Sequence, residues 1–362
     1  MLSKEEINRC SRHIILPEIG IEGQEKLKGA KVLVVGAGGL GCPVLQYLVS
    51  AGIGTIGIVD GDVVDESNLQ RQILYSYADI GKFKAETAKR KLTILNPDCK
   101  LQTANCKLVS ANALDIIKDY DLIIDGSDNF PTRYLINDAC VMLNKPLVFG
   151  SIFKFEGQAS VFNYKNGPTY RCLFLEPPQD SPSCSEIGVL NVLPGIIGTM
   201  MANEALKIIL GIGKVLSGKL FVFDTLTSQT NIISFEKNPH NSKIKSLIDY
   251  ESFCKHKSNS IKEISSFELQ KLIEGKEAIQ IIDVREPGEY SRFNIKGENI
   301  PLNSLSNNIG KIRKDIPVII YCQRGNRSER AIELLQKDFG FTNLYNLTGG
   351  IGTVIPSEFS VH

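Results

Sequence analysis

Residues 32–41 read VLVVGAGGLG: an apolar run, a cluster of glycines, then the start of a helical pattern. Gly36, Gly38, Gly39 and Gly41 let the backbone turn tightly and approach a phosphate closely. The helix that follows offers unpaired N–H groups and the positive end of its dipole. This turn ties the chain to a strand-then-helix plan, and the plan repeats. Apolar runs at Lys31–Val35, Thr55–Asp60, Leu122–Asp125, Pro146–Gly150, Ala159–Phe162 and Leu220–Asp224 read as strands. Leu40–Ala51, Phe83–Leu95, Thr132–Leu143 and Gly195–Leu210 read as helices. Alternating strand and helix predicts an α/β fold, a Rossmann-like doubly wound sheet covered on both faces. The later strands are expected to add antiparallel pairs.

At 362 residues the chain is too long for one ordinary core, so two domains are expected. Turn formers and polar residues between EKNPHNSKIK and CKHKSNS mark the break. The expected division is 1–240, a linker at 241–260, and a small α/β domain at 261–362. In the latter, Phe267–Glu274 and Ser328–Lys337 read as helices, and Ala278–Val284 and Val318–Tyr321 as strands.

Asp60 ends the second strand, at the spacing of a ribose-binding carboxylate. The glycine loop and Asp60 by themselves fit NAD, FAD or ATP. DESNLQRQ adds Asn68 and Arg71, GKFKAE adds Lys82 and Lys84, and DGSDNFPTR puts Asp128 after a strand, where it can hold Mg²⁺. Cations and Mg²⁺ suit a triphosphate under attack better than a hydride donor. The four histidines, His13, His240, His256 and His362, fall at no strand end of this region. A dehydrogenase's proton donor is therefore hard to place.

These motifs, with RCSRHIILPEIGIEGQEKLKG ahead of them, resemble the MoeB/ThiF-type enzymes, bacterial relatives of ubiquitin-activating enzymes, from about residue 5 to about residue 235. The resemblance implies adenylation of the C-terminal glycine of a ubiquitin-like sulfur carrier, with ATP and Mg²⁺. It gives the Gly36–Gly41 loop the phosphates and Asp60 the ribose. Asn68, Arg71 and Lys84 would contact phosphates, and Asp128 would hold Mg²⁺. Arg12 matches an arginine that reaches the partner subunit's ATP site, which implies a homodimer. The carrier would resemble MoaD, for molybdopterin, or ThiS, for thiamine, with the first favoured. Cys184 stands where family members carry a cysteine able to link covalently to the carrier. Many members also bind zinc through two CxxC pairs. Here one pair is reduced to Thr169–Cys172 and the other, near Asn238–Ser242, has no cysteine, so no zinc is expected.

The second domain carries YCQRGNRS, with Cys322 between a strand and a helix. A loop folded over a helix N-terminus, with Arg324 and Arg327 beside it, stabilises a thiolate or persulfide. Phosphatases carry a Cys-x₅-Arg loop that usually starts with His-Cys; here Tyr321 precedes Cys322, and Arg327 follows it after four residues. IIDVREPGEYSRFNIKGENIPLNSL, YCQRGNRSERAIELLQ and LYNLTGGI together resemble the rhodanese domain, over residues 261 to 355. That implies Cys322 as a persulfide carrier, loaded by a sulfur donor such as a cysteine desulfurase. Asp283, Arg285 and Glu286 form the domain's acidic–basic cluster, expected to be structural.

A formal net charge of +1 gives no field for nucleic acid or an anionic membrane. The N-terminus lacks a signal-peptide run, and the apolar stretch 193–213 carries Asn203, Glu204 and Lys207. A cytoplasmic location is the default. The nine cysteines show no disulfide spacing. The leading reading is a two-step enzyme in which a Cys322 persulfide replaces AMP on an activated carrier. The rivals are a nucleotide-regulated docking module and an NAD-dependent enzyme.

Overall fold

The computed structural model of the chain describes residues 1–177, 188–254 and 261–353. It divides into two compact units, Met1–Cys254 and Lys255–His362.

The first unit is built on an eight-stranded sheet. Its strands are β1 Lys31–Val35, β2 Thr55–Val59, β3 Lys100–Ala104, β4 Leu122–Asp125, β5 Leu147–Phe153, β6 Glu156–Phe162, β7 Lys219–Asp224 and β8 Thr230–Ser234, in the order β3-β2-β1-β4-β5-β6-β7-β8. The first five pair in parallel and the last three antiparallel. Apolar side chains alternate between the faces. Val32, Val34, Ile56 and Ile58 pack with Leu45, Leu48, Ala88 and Met201 from helices Gly41–Ser50, Lys84–Leu95 and Leu193–Leu210. Leu33, Val35 and Ile123 face the other way, onto Ile136, Ala139 and Tyr170 from helices Phe130–Met142 and Tyr170–Leu173.

The second unit is a parallel sheet of β9 Lys262–Ile264, β10 Gln280–Asp283, β11 Glu298–Asn299, β12 Val318–Tyr321 and β13 Leu344–Leu347, ordered β11-β10-β12-β13-β9. Central β12 sends Val318 and Ile320 to one core and Ile319 and Tyr321 to the other.

Two details depart from the sequence reading. β3 and β8 carry no apolar run: β3 is KLQTA with one buried residue, and all five residues of β8 are exposed. They are the two edges of the sheet, so one side of each needs no cover. Residues 241–254, polar enough to read as linker, belong to the first unit. There Tyr250 is buried, its hydroxyl donates to Asp138 Oδ2 at 2.7 Å, and the Phe253 ring stands edge-on to Tyr134. Helix Leu193–Leu210 has the length and apolarity to cross a bilayer, but half of it is buried in this unit, packed on β5 and β6. Its Glu204 accepts from Leu216 N–H at 2.8 Å and pairs with Lys207.

Candidate functional site

In an open parallel sheet, ligands bind beyond the strand ends where the order reverses. Here that point lies between β1 and β4. The loops after these strands touch. Gly36 has φ +92°, and a Cβ there would stand 2.7 Å from Gly126 O. Gly41 has no room either, since its Cβ would meet Gly36 O at 1.9 Å. Ala37, inside the loop, is pinned on both sides: its N–H donates to Asp60 Oδ2 at 2.8 Å, and its carbonyl accepts from the Tyr75 hydroxyl at 2.8 Å.

Beyond these loops lies a cavity of about 440 Å³, lined among others by Gly36, Gly38, Gly39, Asp60, Arg71, Lys84 and Asp128. Most of the expected site residues therefore meet. Burial pushes the Asp60 carboxyl up, while the amides of Asp62 and Ala37 and the charge of Lys84 oppose it. Lys84 is buried and pairs with Asp62 at 3.2 Å. Arg71 lies half-buried, with its guanidinium near Ser67 O at 3.2 Å. Asp128 stands exposed at the cavity, touched by the Asn129 amide at 3.4 Å.

Other expected residues lie apart. Gly41 is not a cavity residue; it packs helix against strand. Asn68 lies outside the cavity lining, but its carbonyl accepts from the N–H groups of Arg71 and Gln72 at 3.0 and 2.9 Å, so it shapes the turn that delivers them. Lys82 is exposed and bonds Ala78 O. Arg12 is exposed on helix Ser11–Ile14, away from the cavity and beside exposed Ile15, Leu16 and Ile21. Cys184 lies outside the described residues.

The cavity also holds residues that the sequence reading did not assign: Asp62, Gln72 and Arg133. Gln72 Oε1 and Arg133 Nε are buried without hydrogen-bond partners. Arg133 lies over the Phe130 and Phe149 rings at 5.4 and 5.5 Å. Buried polar atoms left unpaired are costly in a folded protein. At a cavity wall they suit a polar ligand such as a nucleotide.

Thr169–Cys172 and Asn238–Asn241, the two segments compared above with CxxC pairs, do converge. Cys172 Sγ accepts from Asn238 N–H at 3.3 Å and Thr169 N–H at 3.4 Å, with Asn241 Nδ2 at 3.9 Å. Burial pushes the Cys172 thiol up, but these bonds outweigh it and hold the thiol below its ordinary value. One thiol among amides offers a metal a single soft ligand. Among the described residues, no group of three or more His, Cys, Asp or Glu side chains is placed to hold a metal.

In the second unit, Cys322 follows β12 and is 2% exposed. Gly325, at φ +103°, turns its N–H onto Cys322 Sγ at 3.2 Å, and the Ser328 hydroxyl lies 3.6 Å away. Helix Asn326–Phe339 starts at this loop. The loop is fixed from behind: Ile351 N–H donates to Cys322 O at 2.8 Å, and a Cβ on Gly350 would meet that oxygen at 2.5 Å. Arg285 is buried against Asp283 at 2.7 Å and reaches Gln323 Oε1 at 3.2 Å, so the acidic–basic cluster supports the loop. One backbone N–H and one hydroxyl therefore point at the Cys322 sulfur.

The model of the ThiF family matches residues 10–245, and that of the rhodanese-like domain matches residues 266–353. The chain is 44% identical to the probable adenylyltransferase/sulfurtransferase MoeZ of Mycobacterium tuberculosis, covering 97% of this chain and 93% of that one. It is 42% identical to the adenylyltransferase and sulfurtransferase MOCS3 of Drosophila yakuba, over 97% and 83% of the two chains. It is 51% identical to the sulfur carrier protein adenylyltransferase of Thermus thermophilus, over 70% and 98%. Among solved structures, E. coli MccB with ATP matches with a TM-score of 0.57 at 23% identity, over 66% of this chain and 75% of that one, a likeness of fold.

Proposed function

The chain belongs to the ThiF family and ends in a rhodanese-like domain, and on that premise we propose that it adenylates the C-terminal carboxylate of a ubiquitin-like sulfur carrier and replaces the AMP with sulfur held on Cys322. The observation that carries the first step is the convergence of the glycine loop, Asp60, Arg71, Lys84 and Asp128 on one cavity at the switch point of the sheet. A terminal carboxylate is ionised near neutral pH, so its attack on the α-phosphorus needs no general base. The step needs neutralised charge and an aligned leaving pyrophosphate. Arg71 and Lys84 supply the charge. Lys84 is held by Asp62 until phosphate replaces that carboxylate, and Asp60 holds the ribose while fixing Ala37. Asp128, which lines the cavity and forms no ion pair among the described residues, would hold Mg²⁺, which would supply further charge neutralisation to the phosphates.

In the second step the terminal sulfur of a Cys322 persulfide attacks the acyl carbon and AMP leaves, giving an acyl disulfide. A thiol, as thiolate, then attacks Cys322 Sγ: a new disulfide to Cys322 forms, the acyl disulfide's S–S bond breaks, and the electron pair leaves on the carrier thiocarboxylate. Cys184 remains the candidate for a covalent link to the carrier. Arg12 points to a homodimer in which it completes the second copy's nucleotide site; its exposure beside Ile15, Leu16 and Ile21 supports this. The carrier is proposed to be of the molybdopterin type, a name also carried by a relative from Porphyra purpurea, a probable molybdopterin-synthase adenylyltransferase 46% identical over 92% of this chain.

The test is carrier-dependent exchange of pyrophosphate into ATP with each carrier type. Exchange is expected with the MoaD-like carrier and is expected to fall by about 10²–10³-fold in Arg71→Ala. No exchange with either carrier would overturn the assignment.

A further inference from the structure

Most residues that line the nucleotide cavity come from strand ends, so their order along it follows the order of the sheet. Cys106, Leu108 and Val109 come from the loop after β3, Asp60 from the end of β2, the glycines from β1, Asp128 from β4 and Phe153 from β5. With phosphates on the glycine loop and ribose on Asp60, the base of a nucleotide continues toward the loop after β3. That loop abuts the end of β2: Asp60 N–H donates to Ala104 O at 3.2 Å, and a Cβ on Gly61 would stand 3.0 Å from the carbonyl carbon of Cys106. Buried Leu108 and exposed Val109 offer the base an apolar wall.

Two charged side chains line this end, Lys107 from the loop itself and Glu251 from helix Tyr250–Cys254. Three contacts fix the segment that carries Glu251. The Ser110 hydroxyl donates to Ile248 O at 2.7 Å, which ties it to the loop after β3. The Tyr250 hydroxyl holds Asp138, and the Phe253 ring stands on Tyr134. Glu251 itself is exposed and forms no ion pair among the described residues. An ionised carboxylate can only accept hydrogen bonds. Adenine carries an exocyclic amine, a donor, where guanine carries a carbonyl oxygen, an acceptor. Lys107 only donates, and it can meet ring nitrogens that both purines carry, so it does not tell them apart.

Resting on the reading of this cavity as a nucleotide site, we propose that Glu251 is a specificity-determining residue: its carboxylate accepts from the exocyclic amine of adenine and turns guanine nucleotides away. Guanine would set its carbonyl oxygen against the carboxylate with no proton between them, a repulsive contact that works against the wrong ligand. Glu251 would touch the base and none of the reacting atoms. It selects the nucleotide and leaves the transfer of the adenylyl group to the residues at the other strand ends.

The test uses the full-length protein and titrates it with ATP, GTP and purine riboside triphosphate, which is ATP without the exocyclic amine. Wild type is expected to bind ATP roughly tenfold more tightly than purine riboside triphosphate, and GTP more weakly than either. In Glu251→Ala the advantage of ATP over purine riboside triphosphate is expected to vanish, while purine riboside triphosphate binds as it does to wild type. A merely structural role would weaken both ligands alike. Glu251→Gln, whose amide both accepts and donates, is expected to keep ATP and to gain affinity for GTP. Equal binding of ATP and purine riboside triphosphate by wild type, or an equal loss of both in Glu251→Ala, would overturn the proposal. Failure of wild type to bind any of the nucleotides is a different result, because it removes the nucleotide reading of the cavity itself.

Discussion

Single residues show where sequence stops being legible. The glycines, Asp60, Arg71, Lys84 and Asp128 were readable because each sits in a short motif whose spacing has a mechanical reason. Gln72 and Arg133 stood inside those same motifs and went unassigned, since only the folded chain shows that their polar atoms are buried and unpaired. For Arg133 a signal existed: Asn129 caps the helix by accepting from Thr132 N–H, and Arg133 follows within that first turn, near Ser127 O at 3.4 Å. The Glu289–Arg327 bridge had none, because 38 residues separate its partners. The orphan oxygen of Gln72 makes a prediction. An unsatisfied buried acceptor costs about 1–3 kcal/mol. Gln72→Leu is expected to raise the unfolding midpoint of the ligand-free protein and to weaken ATP binding. Calorimetric melting and nucleotide titration read the two effects separately. A variant that is less stable and binds ATP normally would show that Gln72 serves packing alone.

Elements were legible in proportion to their burial. β1, β2 and β4 are apolar runs that the sheet covers on both faces, and the sequence reading locates them to within a residue. β3 and β8 are edges whose partly or wholly exposed side chains leave no pattern. Between β2 and helix Lys84–Leu95 runs a segment with almost no regular structure, yet it delivers Arg71, so something must hold it. Asp79 does. It is 2% exposed, pairs with Arg90 and Lys91 at 2.6 Å each, and accepts from the Ser76 N–H and hydroxyl. Burial raises its carboxyl, but the bonds from Lys91 and Ser76 outweigh that and hold it well below the usual carboxylate range. A carboxylate depressed in the folded state contributes stability above its unfolded value, and that contribution fades as pH falls toward the folded value. Asp79→Asn is therefore expected to lose about 1–3 kcal/mol at pH 7. The gap to wild type should shrink once the pH drops below about 4. Urea midpoints at pH 7 and pH 3 measure it, and a gap that stays constant would refute the assignment.

On the scale of the whole molecule, two α/β units carry two kinds of anion chemistry, and each uses a strand end and a glycine-bearing loop for it. Gly36 and Gly325 both take positive φ, and both loops run into a helix N-terminus. The first loop faces a cavity with room for a substrate and is ringed by cationic side chains, as charge neutralisation during phosphoryl transfer requires. The second leaves Cys322 only 2% exposed, which suits one sulfur atom rather than a phosphate. This difference in chemistry predicts that the half-reactions separate. Cys322→Ser is expected to catalyse carrier-dependent ATP–pyrophosphate exchange at the wild-type rate and to form no thiocarboxylate, so that the carrier adenylate builds up. Arg71→Ala is expected to do the reverse: Cys322 still takes sulfur from a persulfide donor, while exchange is lost. Mass spectrometry of the carrier and of Cys322 reads both variants in one experiment. Should Cys322→Ser abolish exchange, the cysteine loop would belong to the activation step, and the order of adenylation before sulfur transfer would have to be abandoned.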